Sequence, residues 1–238
     1  MRKIVEKKKI QTDPAFQILL DRLRQAPLSG HGTLRAQGLH GSAKSFYLSL
    51  LFSTTDRFLI VVNPTEREAL DMARDMSFFL GPDRVLHYPP WDVVSTDLFA
   101  FQRDVELARL EVLCRLLSPS PALIVLSLKA LMQKVMPRAV LEAYQRVISI
   151  GDTQDRDALV ETLFTGGYKR ETLVEERGEF SVRGHVLDIF PPTAEKPFRL
   201  EFFGDELESI RIFDPASQRS TGEEVEFVLT PAREVILS

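Results

Sequence analysis

The sequence predicts an α/β chain in two parts: a parallel-sheet domain over residues 1–150 and a smaller, mainly β (α+β) domain over residues 151–238. Three observations carry this. In the first part, short continuous apolar runs such as Phe58–Val62 and Ala122–Leu126 alternate with helical patterns, as buried parallel strands alternate with crossover helices. After Asp155–Phe164 the apolar period changes from 3.6 to 2, and closely spaced alternating runs take over. The charge also shifts: residues 1–150 hold 20 Lys+Arg against 15 Asp+Glu, whereas residues 151–238 hold 10 against 19, a net of −9.

Asp13 is placed to cap a helix that starts at Pro14, with Phe16, Leu19, Leu20 and Leu23 on one apolar face. Thr33–Gly38 reads as a strand and Ala43–Phe52 as a helix. Phe58–Val62 is a strand. Thr65–Leu80 is a helix, with Thr65 as cap and Glu68 three residues on. Arg84–Tyr88 is a short strand. Asp104–Leu117 is a helix with Val105, Ala108, Val112 and Leu116 on one side. Ala122–Leu126 is a strand, Leu128–Val135 a helix and Arg146–Ile150 a strand. Asp155–Phe164 is a last helix, ended by Gly166-Gly167. The strands expected beyond it are Glu171–Glu175, Glu179–Arg183, His185–Phe190, Phe198–Phe203, Glu206–Phe213 and Val225–Leu229, with turns at Arg183-Gly184 and Gly204-Asp205.

Composition narrows the function classes. The chain is 44% hydrophobic and 27% charged, enough to bury a core. No apolar run approaches the roughly 20 residues that span a bilayer, and the basic stretch Met1–Lys9 lacks the apolar segment of a secretory signal. The single cysteine, Cys114, reads as a small core hydrophobe, in keeping with a cytoplasmic protein. The acidic second half is poorly suited to gripping a phosphate backbone. His31, His40, His87 and His185 have no ligand spacing, so neither a metal nor a cofactor is expected. Trp91, in Tyr88-Pro89-Pro90-Trp91-Asp92, reads as a packing anchor for a loop.

Gly38-Leu39-His40-Gly41-Ser42-Ala43-Lys44-Ser45 follows a predicted strand and opens a predicted helix, the setting of a phosphate-binding P-loop. Such a loop needs glycine before its lysine, so that backbone N–H groups wrap the phosphates closely. Here that position is Ala43, whose β-carbon crowds the approach. The strands that would present a magnesium-binding acid end instead in Asn63-Pro64 and Ser127. Gly38, Gly41, Ala43, Lys44 and Ser45 therefore read as a degenerate loop in a P-loop NTPase-like scaffold. Lys44 reads as a solvated residue at a helix start, and no catalytic residues are assigned.

Strand alternation sorts the second domain into two faces. Phe180, Val182, Phe198, Leu200 and Phe202 share an apolar face. Glu179, Ser181, Arg183, Arg199, Glu201 and Phe203 lie on the other. Phe203 stands where the pattern calls for a polar residue. It is either an interface aromatic beside arginines or is covered by a helix such as 155–164.

The run Arg177-Gly178-Glu179-Phe180-Ser181-Val182-Arg183-Gly184-His185-Val186-Leu187-Asp188-Ile189-Phe190-Pro191-Pro192 resembles the UvrB-homology region of the bacterial transcription-repair coupling factors (Mfd) and of the excision-repair helicase UvrB. So do Phe198–Glu206, Ile210–Asp214 and Ser217–Ser220, and the likeness extends to Gly38–Ser45, Tyr88–Asp92 and Ser127–Arg138. UvrB has an intact phosphate loop and a long tyrosine-rich hairpin, for which Pro90–Asp104 leaves no room. The resemblance therefore favours the N-terminal part of the coupling factors: a degenerate helicase-like domain followed by a domain that binds the UvrA subunit.

It implies Arg183, Arg199 and Phe203 as the UvrA-contacting residues, and a non-catalytic module that recruits UvrA to stalled RNA polymerase. It also implies a longer protein, with RNA-polymerase-binding and ATP-driven, DNA-translocating domains beyond Ser238. Two alternatives follow from the same resemblance: a docking domain whose UvrA surface is masked by a downstream domain, and an active UvrB-like helicase domain.

Overall fold

The computed structural model describes residues 14–25, 35–55, 57–91 and 98–235. The expected cap Asp13, the basic tail 1–9 and the start of the expected strand at Thr33 and Leu34 lie outside them. The chain forms two compact units, residues 1–87 with 121–128, and residues 88–120 with 129–238. This division by compactness falls at different places from the 150/151 boundary read from the sequence.

In the first unit, helix α1 (Pro14–Gln25) buries Phe16 and Leu20 against Leu50 of helix α2 (Ala43–Thr54). Strand β1 (Leu59–Asn63) leads to helix α3 (Glu66–Leu80), and a 3-10 turn at Pro82–Arg84 leads to strand β2 (Val85–Tyr88). Thr65 caps α3 as expected, its hydroxyl accepting from the Glu68 amide at 3.2 Å. Strand β3 (Leu123–Ser127) lies between β1 and β2, parallel to β1, in register from Leu59↔Leu123 to Asn63↔Ser127. All five β3 residues are buried. Phe52, Val61, Ala69, Ala73, Met76, Val85, Leu123 and Val125 form the core.

Two expectations fail here. Residues 35–38 are not a strand. Strand β1, expected to be a buried strand, leaves Ile60 and Val62 52% and 44% exposed. An edge strand has a neighbour on one side only, so its outward apolar residues are covered least.

In the second unit, helix α4 (Leu98–Leu117) is longer than expected and rotated. It buries Val105, Arg109, Leu110, Val112, Leu113 and Cys114, and leaves Leu116 exposed. The expected helix Leu128–Val135 ends as α5 (Leu128–Leu131). Proline at 137 bars the helical region to its predecessor. The Gln133 side chain also pairs with the backbone of Trp91, accepting from its N–H at 2.7 Å and donating to its carbonyl at 3.0 Å. These bonds hold the Trp91 backbone, and its ring centre lies 5.3 Å from the Arg109 guanidinium. Pro137 then opens an unforeseen helix, α6 (Arg138–Tyr144).

Strand β4 (Arg146–Ser149) precedes helix α7 (Arg156–Thr165), which Asp155 caps by accepting from the Asp157 and Ala158 amides. Then follow β5 (Lys169–Arg170), β6 (Glu179–Arg183), β7 (Val186–Ile189), β8 (Phe198–Phe203), β9 (Glu206–Phe213), β10 (Ser220–Glu224) and β11 (Glu226–Leu229). The expected strand Glu171–Glu175 is a loop. Ser181 Oγ donates to the Thr172 carbonyl, and the Glu179 carboxylate accepts from the Glu175 and Glu176 amides, so that backbone bonds to side chains instead of a ladder. Strands β5 to β10 form one sheet in sequential order, antiparallel except for β5 beside β6, while β4 and β11 pair separately. Helix α7 packs Leu159 and Leu163 onto the inner face with Phe180, Leu187, Leu200, Phe202, Leu207 and Ile210.

Arg109 is the largest fully buried side chain among the described residues. Its guanidinium pairs bidentately with Glu234 at 2.5 and 2.8 Å, donates to the Pro89 carbonyl at 2.9 Å, and lies 4.2 Å from the ring centre of Tyr88. Burial, with the nearby Glu234 charge, holds the Tyr88 phenol well above its ordinary range. Burial also pushes the Cys114 thiol up to about 12, away from the reactive thiolate form.

Breaking the Arg109 pair from one side leaves a buried charge unpaired. Glu234→Gln is expected to cost roughly 3–5 kcal/mol in urea unfolding. The joint replacement of Arg109 by Met and Glu234 by Leu should cost clearly less. Cys114 should react with a thiol reagent such as dithionitrobenzoate only as the chain unfolds.

Candidate protein-docking face

The outer face of the β5–β10 sheet is graded along its length. At one end it is roofed. Val174, Phe190 and Phe213 form a small second core beneath the 171–178 loop. Gln218, the one described non-glycine residue with positive φ (58°), ties that loop down by donating to the carbonyls of Val174 (3.0 Å) and Pro215 (2.7 Å).

Next comes a charged row. Cross-strand register aligns Ser181, Asp188, Arg199 and Arg211 on adjacent strands. Asp188 is completely buried. Arg199 grips it with two parallel bonds, Nε to Oδ1 at 2.8 Å and Nη2 to Oδ2 at 2.9 Å. Its Nη1 donates to the Gln218 carbonyl at 3.2 Å, and its guanidinium lies 4.6 Å from the Phe213 ring centre. The Arg199 side chain is only 16% exposed. The Asp188 hydrogen bonds raise the proton affinity of this guanidinium further, so it is a permanent cation. Arg183 reaches the same carboxylate with one nitrogen, Nη2 to Oδ2 at 2.5 Å, and stays 46% exposed.

The other end is open. Strands β6–β7 and β8–β9 are joined by two-residue turns at Gly184-His185 and Gly204-Asp205, with φ of 60° and 61° at the glycines. Positive φ at the first turn residue matches the right-handed twist of the flanking strands and favours glycine there. The two tips lie at the same end of the sheet and are joined by the Phe202 amide donating to the His185 carbonyl at 3.0 Å. Behind them, the Gln154 amide donates to the Asp205 carbonyl at 2.7 Å, and Arg156 donates to the Gly184 carbonyl. Arg183 and Phe203 are the last strand residues before these turns. Phe203 is 75% exposed. Helix α7 covers the opposite face, so it does not bury Phe203. Nearby, Glu201 is taken up by Arg211 at 2.9 Å and Ser209 at 3.0 Å.

Of the sequence-predicted residues, the structure brings Arg183 and Arg199 together on Asp188 and sets Phe203 farther along the same face. Sequence reasoning missed Asp188. The available signal was a lone acid at an outward position in the apolar run Val186-Leu187-Asp188-Ile189-Phe190.

The residues read from the sequence as a degenerate phosphate loop sit in the first unit. Gly38 and Gly41 have φ of 82° and 54°, and a β-carbon at either would meet open space. Ala43 and Lys44 are exposed in the first turn of α2. Ser45 is buried, and its hydroxyl donates to Asp75 Oδ2 of α3 at 3.2 Å, with Met72 Sδ 3.1 Å away. Among the described residues no cluster of His, Cys, Asp and Glu could hold a metal ion, and no helix is long and apolar enough to cross a membrane.

Residues 147–235 match the UvrB interaction domain family. Over 236 residues, 94% of this chain, the sequence is 44% identical to the transcription-repair-coupling factor of Myxococcus xanthus. It is 32% identical over 200 residues (84% of the chain) to that of Bacillus subtilis, and 36% identical over 177 residues (74%) to that of Escherichia coli. The chain belongs to the transcription-repair-coupling factor family, as its N-terminal UvrB-like region. It spans 19%, 17% and 15% of the length of those three coupling factors.

Because Phe203 is already in water, its truncation should leave the fold intact. Phe203→Ala is expected to change stability by no more than about 0.5 kcal/mol. A thermal melt checks this.

Proposed function

We propose that this chain is a non-catalytic recruitment module, in which residues 151–238 bind a UvrA-type excision-repair protein and residues 1–150 are a degenerate helicase-like domain. The observation that carries the reading is an exposed aromatic, Phe203, and a half-exposed arginine, Arg183, on the same face at two joined hairpin tips. Aromatic and arginine side chains dominate protein interfaces, because one supplies rigid apolar area and the other a planar fork for carboxylates. The match of this part to the UvrB interaction domain family supports the same reading. In the whole protein the module would bring excision repair to stalled RNA polymerase, with polymerase and DNA held by other regions.

The first domain supports a role as scaffold. Ala43 occupies the loop position that needs glycine, and the Ser45 hydroxyl, which would serve a metal in a working loop, is engaged by Asp75. β1 and β3 end in Asn63 and Ser127, neither of them an acid.

Titration calorimetry with a UvrA-type protein tests the recruitment role. Wild type should bind saturably. The combined Arg183→Ala, Arg199→Ala and Phe203→Ala variant should bind at least about thirtyfold more weakly, since one anchor is typically worth 2 kcal/mol or more. Equal affinity would remove the site assignment. Titration with magnesium-ATP should give no saturable heat, and a saturable isotherm would reinstate a nucleotide-binding first domain.

A further inference from the structure

Asp188 is a buried carboxylate at the centre of a face offered to a partner, and it holds two arginines in different ways. Arg199 is committed. It has three nitrogens bonded, a ring beside it and 16% of its side chain in water. Arg183 is tethered by one nitrogen and 46% exposed. Two guanidiniums and one carboxylate leave this cluster with a net charge of +1, inside a half-chain of net −9. Glu201, next to this cluster on the same face, is occupied by Arg211 and Ser209 and does not compete for Arg183, while Glu206 lies across from Phe203 at the tip.

From this geometry we infer that Asp188 is a positioning residue of the docking face: it uses Arg199 as a fixed base and holds Arg183 so that its free edge receives a carboxylate of the partner beside the socket that takes Phe203. The inference rests on the recruitment reading above and adds the chemistry of the partner's surface, an acidic side chain next to an apolar pocket. A bidentate carboxylate pair needs the fork held in one plane. A tethered arginine loses less side-chain freedom on binding than an untethered one.

Orientation and charge predict opposite kinetic signs, which makes the role testable. If Asp188 acted only through its charge, Asp188→Asn would make the face more positive. Association with an acidic partner would then quicken and the complex would tighten. If Asp188 positions Arg183, association stays equal or rises while dissociation speeds up.

The test measures association and dissociation rates of the full chain with a UvrA-type protein, with a melting temperature for each variant. Asp188→Asn should raise the dissociation rate roughly three- to tenfold, the range of an ordering cost for one long side chain, without slowing association. The same change placed on Arg183→Gln should have no further effect on affinity, because the residue it positions is gone. Arg183→Lys keeps the charge, lacks the fork and lies on the surface. It should reproduce the faster dissociation at an unchanged melting temperature, and it decides the matter if Asp188→Asn does not fold.

Tighter binding by Asp188→Asn, additive losses in the double variant, or wild-type kinetics for Arg183→Lys would each overturn the positioning role and leave the recruitment reading standing. Absence of binding by wild type would overturn both.

Discussion

The antiparallel register of β6 to β9 is the constraint on which the second unit depends. With Leu187 opposite Leu200, and Leu200 opposite Ile210, three strands direct apolar side chains to one face, where α7 closes over them. Each fully buried leucine or phenylalanine there is worth roughly 1.5–3 kcal/mol relative to exposure. A slip of one residue would turn that whole set to solvent and place Asp188 and Arg199 in the core. The strength of the inner face thus dictates the outer one. Asp188 opposite Arg199 is the next rung of the same ladder, and the charged row follows from burying the apolar one.

This explains why the β half was legible. Glu179–Arg183, Phe198–Phe203 and Glu206–Phe213 have the bounds expected from alternation, because one buried and one outward face write a period of 2 directly into the residues. Ser220–Glu224 escaped because its strand is polar and mostly exposed on both faces, so it leaves no such trace. Glu171–Glu175 misled for a related reason. Leu173 and Val174 make a short apolar run between polar residues, yet Val174 is buried under the roof at the end of the outer face and the backbone is satisfied by Glu179 and Ser181.

The α4 pattern failed differently. A search for apolar periodicity passes over arginine, but the buried stripe of α4 runs through Arg109, whose partner Glu234 lies 125 residues away. No local pattern encodes such a pair. Asp188 was hidden for the same reason. The residues later found together, Arg183, Asp188 and Arg199, come from three strands, and the sequence placed only the two arginines on a common face. Which arginine is engaged and which is presented depends on Gln218 and Phe213, contributed by the turn after β9 and by its last residue.

The two units also differ in how their polar residues are engaged. In the loop at Gly38–Ser45, the glycines keep positive φ without any neighbour that a β-carbon would strike, and the serine has been drawn into the contact between α2 and α3. On the β5–β10 sheet a buried acid, a committed arginine, a roofing loop and two glycine turns all act to keep Arg183 and Phe203 in fixed places while leaving them in water. Burying a carboxylate costs free energy unless its partners are in position, and a buried ion cluster is often no more stable than apolar packing of the same shape. Stability alone therefore gives little reason for Asp188 to stand at that point. The proposed docking role, in which Arg183 is presented on the same face as Phe203, would supply one.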